Sequence, residues 1–210
     1  MACAEAVGPR VCAFRASGTV VLNSPIMVRS SVHIAGQTAP GPGIQLRLGT
    51  STHGPLIIKG VSDVVVRFLK TRPGTGPDPH LIDAVTREDS QRVYLGNLSL
   101  GFATDETFNV HVSSGTVTDV TLADSVLAYS LDKVGHPNGD HSKGAPVSSG
   151  LVMGMLRFGL DDRRGLACSA GESWPDGAAR ASAILPDAAS GTPGENRALV
   201  RPEGNNAQRS

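Results

Sequence analysis

VVVRFL at Val64–Leu69, VYLGNL at Val93–Leu98 and VTLADS at Val120–Ser125 are three versions of one unit, begun at intervals of 29 and 27 residues. Each opens on a run with strand chemistry and then sets a small or polar residue, Arg67, Gly96 or Ala123, where a strand has to turn a corner. Repetition at a period of about 20 to 50 residues marks stacked coils, in which each unit buries its apolar row only against its neighbours. Working outward, short runs punctuated by Gly, Asn, Asp or Pro extend from Gly18 to Ser149: TVVL, SVHIAG, GIQLRL, PLIIKG, FNVHV. Nothing in that span has the period of a long amphipathic helix. A sandwich or jelly roll would accommodate the same strand lengths. Irregular repeat lengths favour an all-β, parallel β-helix with loops of differing size.

The composition sets limits on what this solenoid does. A chain of 210 residues is the size of one domain. Nineteen Lys and Arg balance nineteen Asp and Glu, so no overall basic field gathers nucleic acid or anionic lipid, and attraction for an acidic polymer has to be local. Aromatics at 4% beside 25 glycines and 14 prolines suit many short strands better than a bundle of helices. No apolar run reaches the roughly 18 residues of a membrane span. The opening MACAEAVGPR lacks the charged and apolar regions of a signal peptide, which reads as a protein that stays inside or as a start internal to a longer chain. Cys3 and Cys12 flank the turn-forming Gly8-Pro9, so a small disulfide loop and two unpaired thiols are both open on spacing alone; Cys168 has no evident partner.

Residues 1–150 are therefore read as the β-helical domain, incomplete at its C-terminal end. From 151 to 210 the character changes: ten alanines, seven arginines and no lysine, with almost no β-branched alternation. Such a composition rarely offsets its ordering entropy through burial, and the segment is expected to be a disordered or out-of-frame tail. Its first part, LVMGMLRFGL, is apolar enough to finish one more coil or to lie along the open end.

Two polar clusters stand out. Asp83 in LIDAV and Asp105, Glu106 and Asn109 in TDETFN offer oxygen donors of the kind a hard cation such as calcium takes. If TFNVHV is a regular strand, Asp105 and Asn109 share a face, Glu106 points away, and Asp83, 22 residues earlier, stacks alongside from the preceding coil. Acidic residues at strand ends are also commonly just solvated. The second cluster is GDHSKG, Gly139–Gly144, whose glycines admit a close backbone approach and whose Lys143 suits an acidic sugar; a surface turn is the plainer reading. There is no GxxxxGK phosphate loop, no HExxH or paired CxxC for zinc, and no GxSxG nucleophile elbow.

Taken in order, VGPRVCAFRASGTVVL, HIAGQTAPGPGIQLR, GPLIIKGVSDVVVRFLKTRPG, IDAV, TDETFNV and GDHSKG resemble the bacterial pectate lyases of polysaccharide lyase family 1, over residues 2 to about 149. IAGQTAPGPGI is the most specific of these segments. The resemblance implies a right-handed parallel β-helix, secreted, monomeric when full length, that cleaves polygalacturonate (pectate) or a related acidic polysaccharide by β-elimination with Ca2+. It implies calcium ligation by Asp83, Asp105 and Asn109, where the family commonly has a carboxylate in place of Asn109, and substrate binding by Lys143. It also implies that Cys3 and Cys12 are paired, with an oxidising compartment following from that.

The family's base is an arginine, in an R-x-P-R-like segment one coil after HSKG and preceded by an HHN-like strand; this chain has neither. Arg157, Arg163 and Arg164 sit in no matching motif, so the catalytic residue is unassigned. The abrupt change after residue 150 is what a frameshift in a GC-rich gene produces, and a truncated relative with both solenoid ends exposed and prone to association is expected. Two other functions stay open: a non-catalytic β-helix that binds acidic polysaccharide, and a surface adhesin, for which no trimer-forming heptad is present.

Overall fold

The computed structural model describes residues 2–78, 81–134, 136, 137, 139, 144–146, 151–153 and 156–158. Strands follow one another in threes. The first coil comprises β1 (Arg10–Ala13), β2 (Gly18–Leu22) and β3 (Ile26–Met27), and the second β4 (Val32–Ala35), β5 (Ile44–Leu48) and β6 (Leu56–Lys59). The third comprises β7 (Ser62–Arg67), β8 (Leu69–Thr71) and β9 (Thr86–Glu88), and the fourth β10 (Gln91–Gly96), β11 (Ser99–Leu100) and β12 (Asn109–His111). Beyond these lie β13 (Thr118–Ala123), β14 (Ser125–Leu127), β15 (Leu151–Met153) and β16 (Leu156–Phe158).

Every pairing is parallel, between equivalent strands of successive coils. The first sheet runs β1-β4-β7-β10-β13-β15, the second β2-β5-β8-β11-β14-β16 and the third β3-β6-β9-β12, which is a parallel β-helix. Parallel crossovers of this kind are right-handed in nearly all cases, because right-twisted strands return to the sheet only that way. β15 and β16 extend the first two sheets by pairing with β13 and β14; residues 159–210 lie outside the described set.

The repeat read from the sequence is the register of the first sheet. Val64, Val93 and Val120 are direct partners, as are Arg67, Gly96 and Ala123. The residues that follow, Phe68, Asn97 and Asp124, have φ of 56°, 55° and 48°, so the chain turns through the left-handed region at the same place in each coil. Inside, alternate side chains form continuous rows, Val32–Val64–Val93–Val120 and Ile34–Val66–Leu95–Leu122, all at most 3% exposed. Burying each such side chain contributes roughly 1.5 to 3 kcal/mol, which a single coil could not secure without its neighbours.

The inner row of the third sheet breaks this rule. Ile58 and Val110 there flank Arg87, whose side chain is fully buried; its Nη2 donates to the Ser90 carbonyl, while Nε and Nη1 have no hydrogen-bond partner. Burial pushes the Arg87 pKa down to about 10.

The N-terminal end is closed, which corrects the expectation that both ends are exposed. A short helix, α1 (Ala2–Glu5), seats the fully buried Ala4 in the core, and Glu5 Oε1 accepts from Met27 N on the edge strand β3. Cys3 and Cys12 are joined in a disulfide. Arg10 fixes the same cap by donating to the carbonyls of Cys3, Ala4, Gly8, Arg29 and Ser30. Two backbone amides at this end, Met27 N and Arg29 N, are thus taken by the chain's own first turn, through Glu5 Oε1 and the Ala4 carbonyl.

Candidate metal centre

Two turns leave the second sheet and enter the third, one between β8 and β9 and one between β11 and β12. Stacking makes them neighbours. Thr104 N and Asp105 N both donate to the Ile82 carbonyl, at 3.0 and 3.2 Å, and Ala84 N donates to the Glu106 carbonyl at 3.0 Å. This cross-coil ladder brings Asp83, Asp105 and Glu106 together, with one carboxylate oxygen from each within 4.8 Å of the others.

The orientation of Asp83 is fixed from both sides. Its Oδ1 accepts from Glu106 N at 3.1 Å and its Oδ2 from Thr86 Oγ1 at 2.8 Å, and only 6% of the residue is exposed. Below it, Gly54 packs against the Asp83 backbone so closely that a Cβ there would lie 2.4 Å from the carbonyl oxygen. Asn109, the first residue of β12 and the register partner of Thr86, touches the cluster through Nδ2, 3.4 Å from Glu106 Oε2. The buried His136 brings Nε2 to 3.7 Å from Asp105 Oδ1.

Burial, more than mutual charge, shifts the carboxyls of this cluster. Burial pushes Asp83 above the ordinary carboxylate range, although its hydrogen bonds to Glu106 and Thr86 work the other way. Glu106 is pushed up to about 9, first by burial, then by its hydrogen bond with Asp83 and the charges of Asp83 and Asp105. A site that retains a proton far above the normal carboxyl pKa is one in which a cation has something to replace. The three carboxylates suit a hard divalent ion of the calcium type.

Of the residues expected from sequence, Asp83 and Asp105 meet as the stacking argument requires, and Asn109 reaches them by way of Glu106. The expectation for Glu106 is overturned. β12 begins only at Asn109; the backbone over residues 105–108 is bent, with an isolated bridge at Glu106 rather than a regular strand, so the two-residue alternation does not apply and Glu106 joins the cluster instead of pointing away. Adjacency in TDE was the available signal for Glu106; nothing local signals His136, which arrives from a later coil. Lys143, Arg163 and Arg164 lie outside the described residues, as does the side chain of Arg157.

A parallel β-helix with an acid-rich turn between its second and third sheets is the class that fold and site define. The particular likeness is to pectate lyases. The chain is 30% identical over 123 residues to the probable pectate lyase C of Emericella nidulans, covering 59% of this chain and 27% of the relative. To that of Aspergillus terreus it is 28% identical over 148 residues, 70% and 32% of the two chains. To that of Aspergillus flavus it is 30% identical over 123 residues, 59% and 27%. The chain thus spans about a third or less of the length of these curated relatives. No protein-family model matches it. These relatives are fungal, so the comparisons carry the likeness to pectate lyases but not its narrowing to bacterial ones. Among the described residues no helix is long and apolar enough to cross a membrane.

Proposed function

We propose that this chain carries the cation-binding turn of a secreted, pectate lyase-like β-helix whose substrate is de-esterified polygalacturonate. The observation that carries the reading is the convergence of one carboxylate oxygen from each of Asp83, Asp105 and Glu106 within 4.8 Å. The names of the relatives supply the substrate class. Calcium is the ion the donor set fits, and when bound it supplies positive charge that neutralises a uronate carboxylate, acidifying the carbon next to it.

The chain's own residues have distinct tasks in this reading. Asp83 and Asp105 present carboxylate oxygens, Thr86 and the Glu106 amide hold Asp83 in place, and Asn109 completes the donor set once its amide, which now donates from Nδ2 to Glu106, turns its oxygen to the ion. Glu106 restores the negative charge that an amide at position 109 leaves out. Lys143 pairs with a sugar carboxylate, which assists both binding and carbanion stabilisation. The Cys3–Cys12 disulfide suits an oxidising, extracellular setting.

The second reading, a binding module without chemistry, rests on the missing R-x-P-R-like segment. One assay separates the two. Polygalacturonate is incubated with the chain and calcium, with a chelator control, and the unsaturated product is followed by ultraviolet absorbance alongside sedimentation binding. Calcium-dependent binding is expected; product formation would place the base within this chain, and binding without product would assign it the role of a binding module. A folded chain that ignores the polymer with and without calcium would overturn both.

A further inference from the structure

Gly74, Phe102 and Tyr129 occupy one corner, at the exit from the second sheet, in three successive coils. Gly74 N donates to the Phe102 carbonyl at 3.0 Å and Phe102 N to the Tyr129 carbonyl at 2.9 Å. All three sit in the left-handed region, with φ of 72°, 59° and 59°. Glycine takes that conformation at no steric cost, whereas bulky residues adopt it against their preference. Strain of this kind persists where the surroundings or a function maintain it.

The rings gain little from the core in exchange. Phe102 is 39% and Tyr129 59% exposed, and they stack on each other with centroids 6.0 Å apart and 27° between planes. A cation stands at one end: Arg72 Cζ lies 5.7 Å from the Phe102 centroid, its guanidinium held by the Ser99 carbonyl, Ser99 Oγ and the Thr71 carbonyl. The segments that carry the two rings run on into the acidic bend. Phe102 precedes Asp105 by three residues, Leu131 N donates to the Ala103 carbonyl, and Ser130 Oγ meets Thr107 Oγ1.

We infer that Phe102, Tyr129 and Arg72 form a subsite for one uronate residue of the polymer, the sugar's C–H face lying on the exposed aromatic surface and its carboxylate toward the guanidinium. This rests on the proposed polygalacturonate reading and adds residues to it. An aromatic surface offers a pyranose ring dispersion and apolar burial, while Arg72 supplies the charge an uncharged sugar would not need.

Glycine variants remove the rings while suiting the left-handed backbone, and thermal melts separate a loss of binding from a loss of packing. Binding of tetragalacturonate in calcium is measured by calorimetry for the unaltered chain, F102G, Y129G and D105N, with thermal melts on all four. The inference predicts a loss of about three- to tenfold in affinity for F102G and Y129G, with melting temperatures unchanged or raised. A stack that serves only the fold predicts the reverse, lower melting with equal affinity, and that result overturns the subsite while leaving the calcium reading intact. If the unaltered chain does not bind at all and D105N changes nothing, the polygalacturonate reading itself falls, and the subsite with it.

Discussion

Gly54→Ala probes the candidate metal centre without replacing any of the residues proposed to hold the ion. The alanine Cβ would meet the Asp83 carbonyl oxygen at 2.4 Å and the Asp83 carbonyl carbon at 3.3 Å, both of them backbone. An ordinary contact is about 3.4 Å, so the second and third coils must separate locally by about 1 Å, in a core where overpacking costs about 1 to 3 kcal/mol. Gly54 is not in the left-handed region, so the cost comes from the contact rather than from backbone conformation. For a chain of this size that lowers Tm by about 2 to 12 °C. The same displacement pulls Asp83 from the Glu106 amide, and cation affinity is expected to fall about ten- to a hundredfold, as when supporting groups around a metal are removed. Differential scanning fluorimetry with calcium and with chelator reads both effects. An alanine variant with the parent's Tm and the parent's calcium-induced rise would refute the reasoning.

Other outcomes follow from the same structure. In chelator, stability should fall as pH rises from about 4.5 toward 9, because folded Glu106 keeps a proton that the unfolded chain releases near its ordinary pKa; pH-dependent melts of E106Q should lose most of that slope. Replacing both Cys3 and Cys12 by serine should cost about 2.6 kcal/mol for a loop closed across 9 residues, read from urea midpoints against the oxidised parent. Arg87→Met should leave stability unchanged or raise it, since a buried guanidinium with two unpartnered nitrogens is replaced by apolar volume; a clear drop in Tm would show that its bond to the Ser90 carbonyl outweighs desolvation.

The fold was legible because its repeat is a repeat of environment. Val64, Val93 and Val120 face one interior row and Arg67, Gly96 and Ala123 one corner, so sequence period and register coincide. Asp83 and Asp105 were legible for the same reason, lying one coil apart. Glu106 was misread because alternation holds only along a regular strand, and the backbone over residues 105–108, before Asn109, is bent around an isolated bridge at Glu106. Arg87 hides in an alternating TRE that gives no sign of a charge in the core. The cap at α1 was missed as well: four helical residues and the carbonyls gathered by Arg10 leave no periodic signal. His136 and the corner shared by Phe102 and Tyr129 depend on coil stacking, which local reading cannot supply.

Calorimetric titration of the chain with calcium, beside D83N and D105N, addresses the central claim most directly. Binding of one ion per chain, with proton release that follows from Glu106 giving up its proton and with loss of the signal in both variants, is the predicted result. A folded parent that takes up no calcium, or variants that bind as the parent does, would contradict the assignment of Asp83, Asp105 and Glu106 as a metal centre.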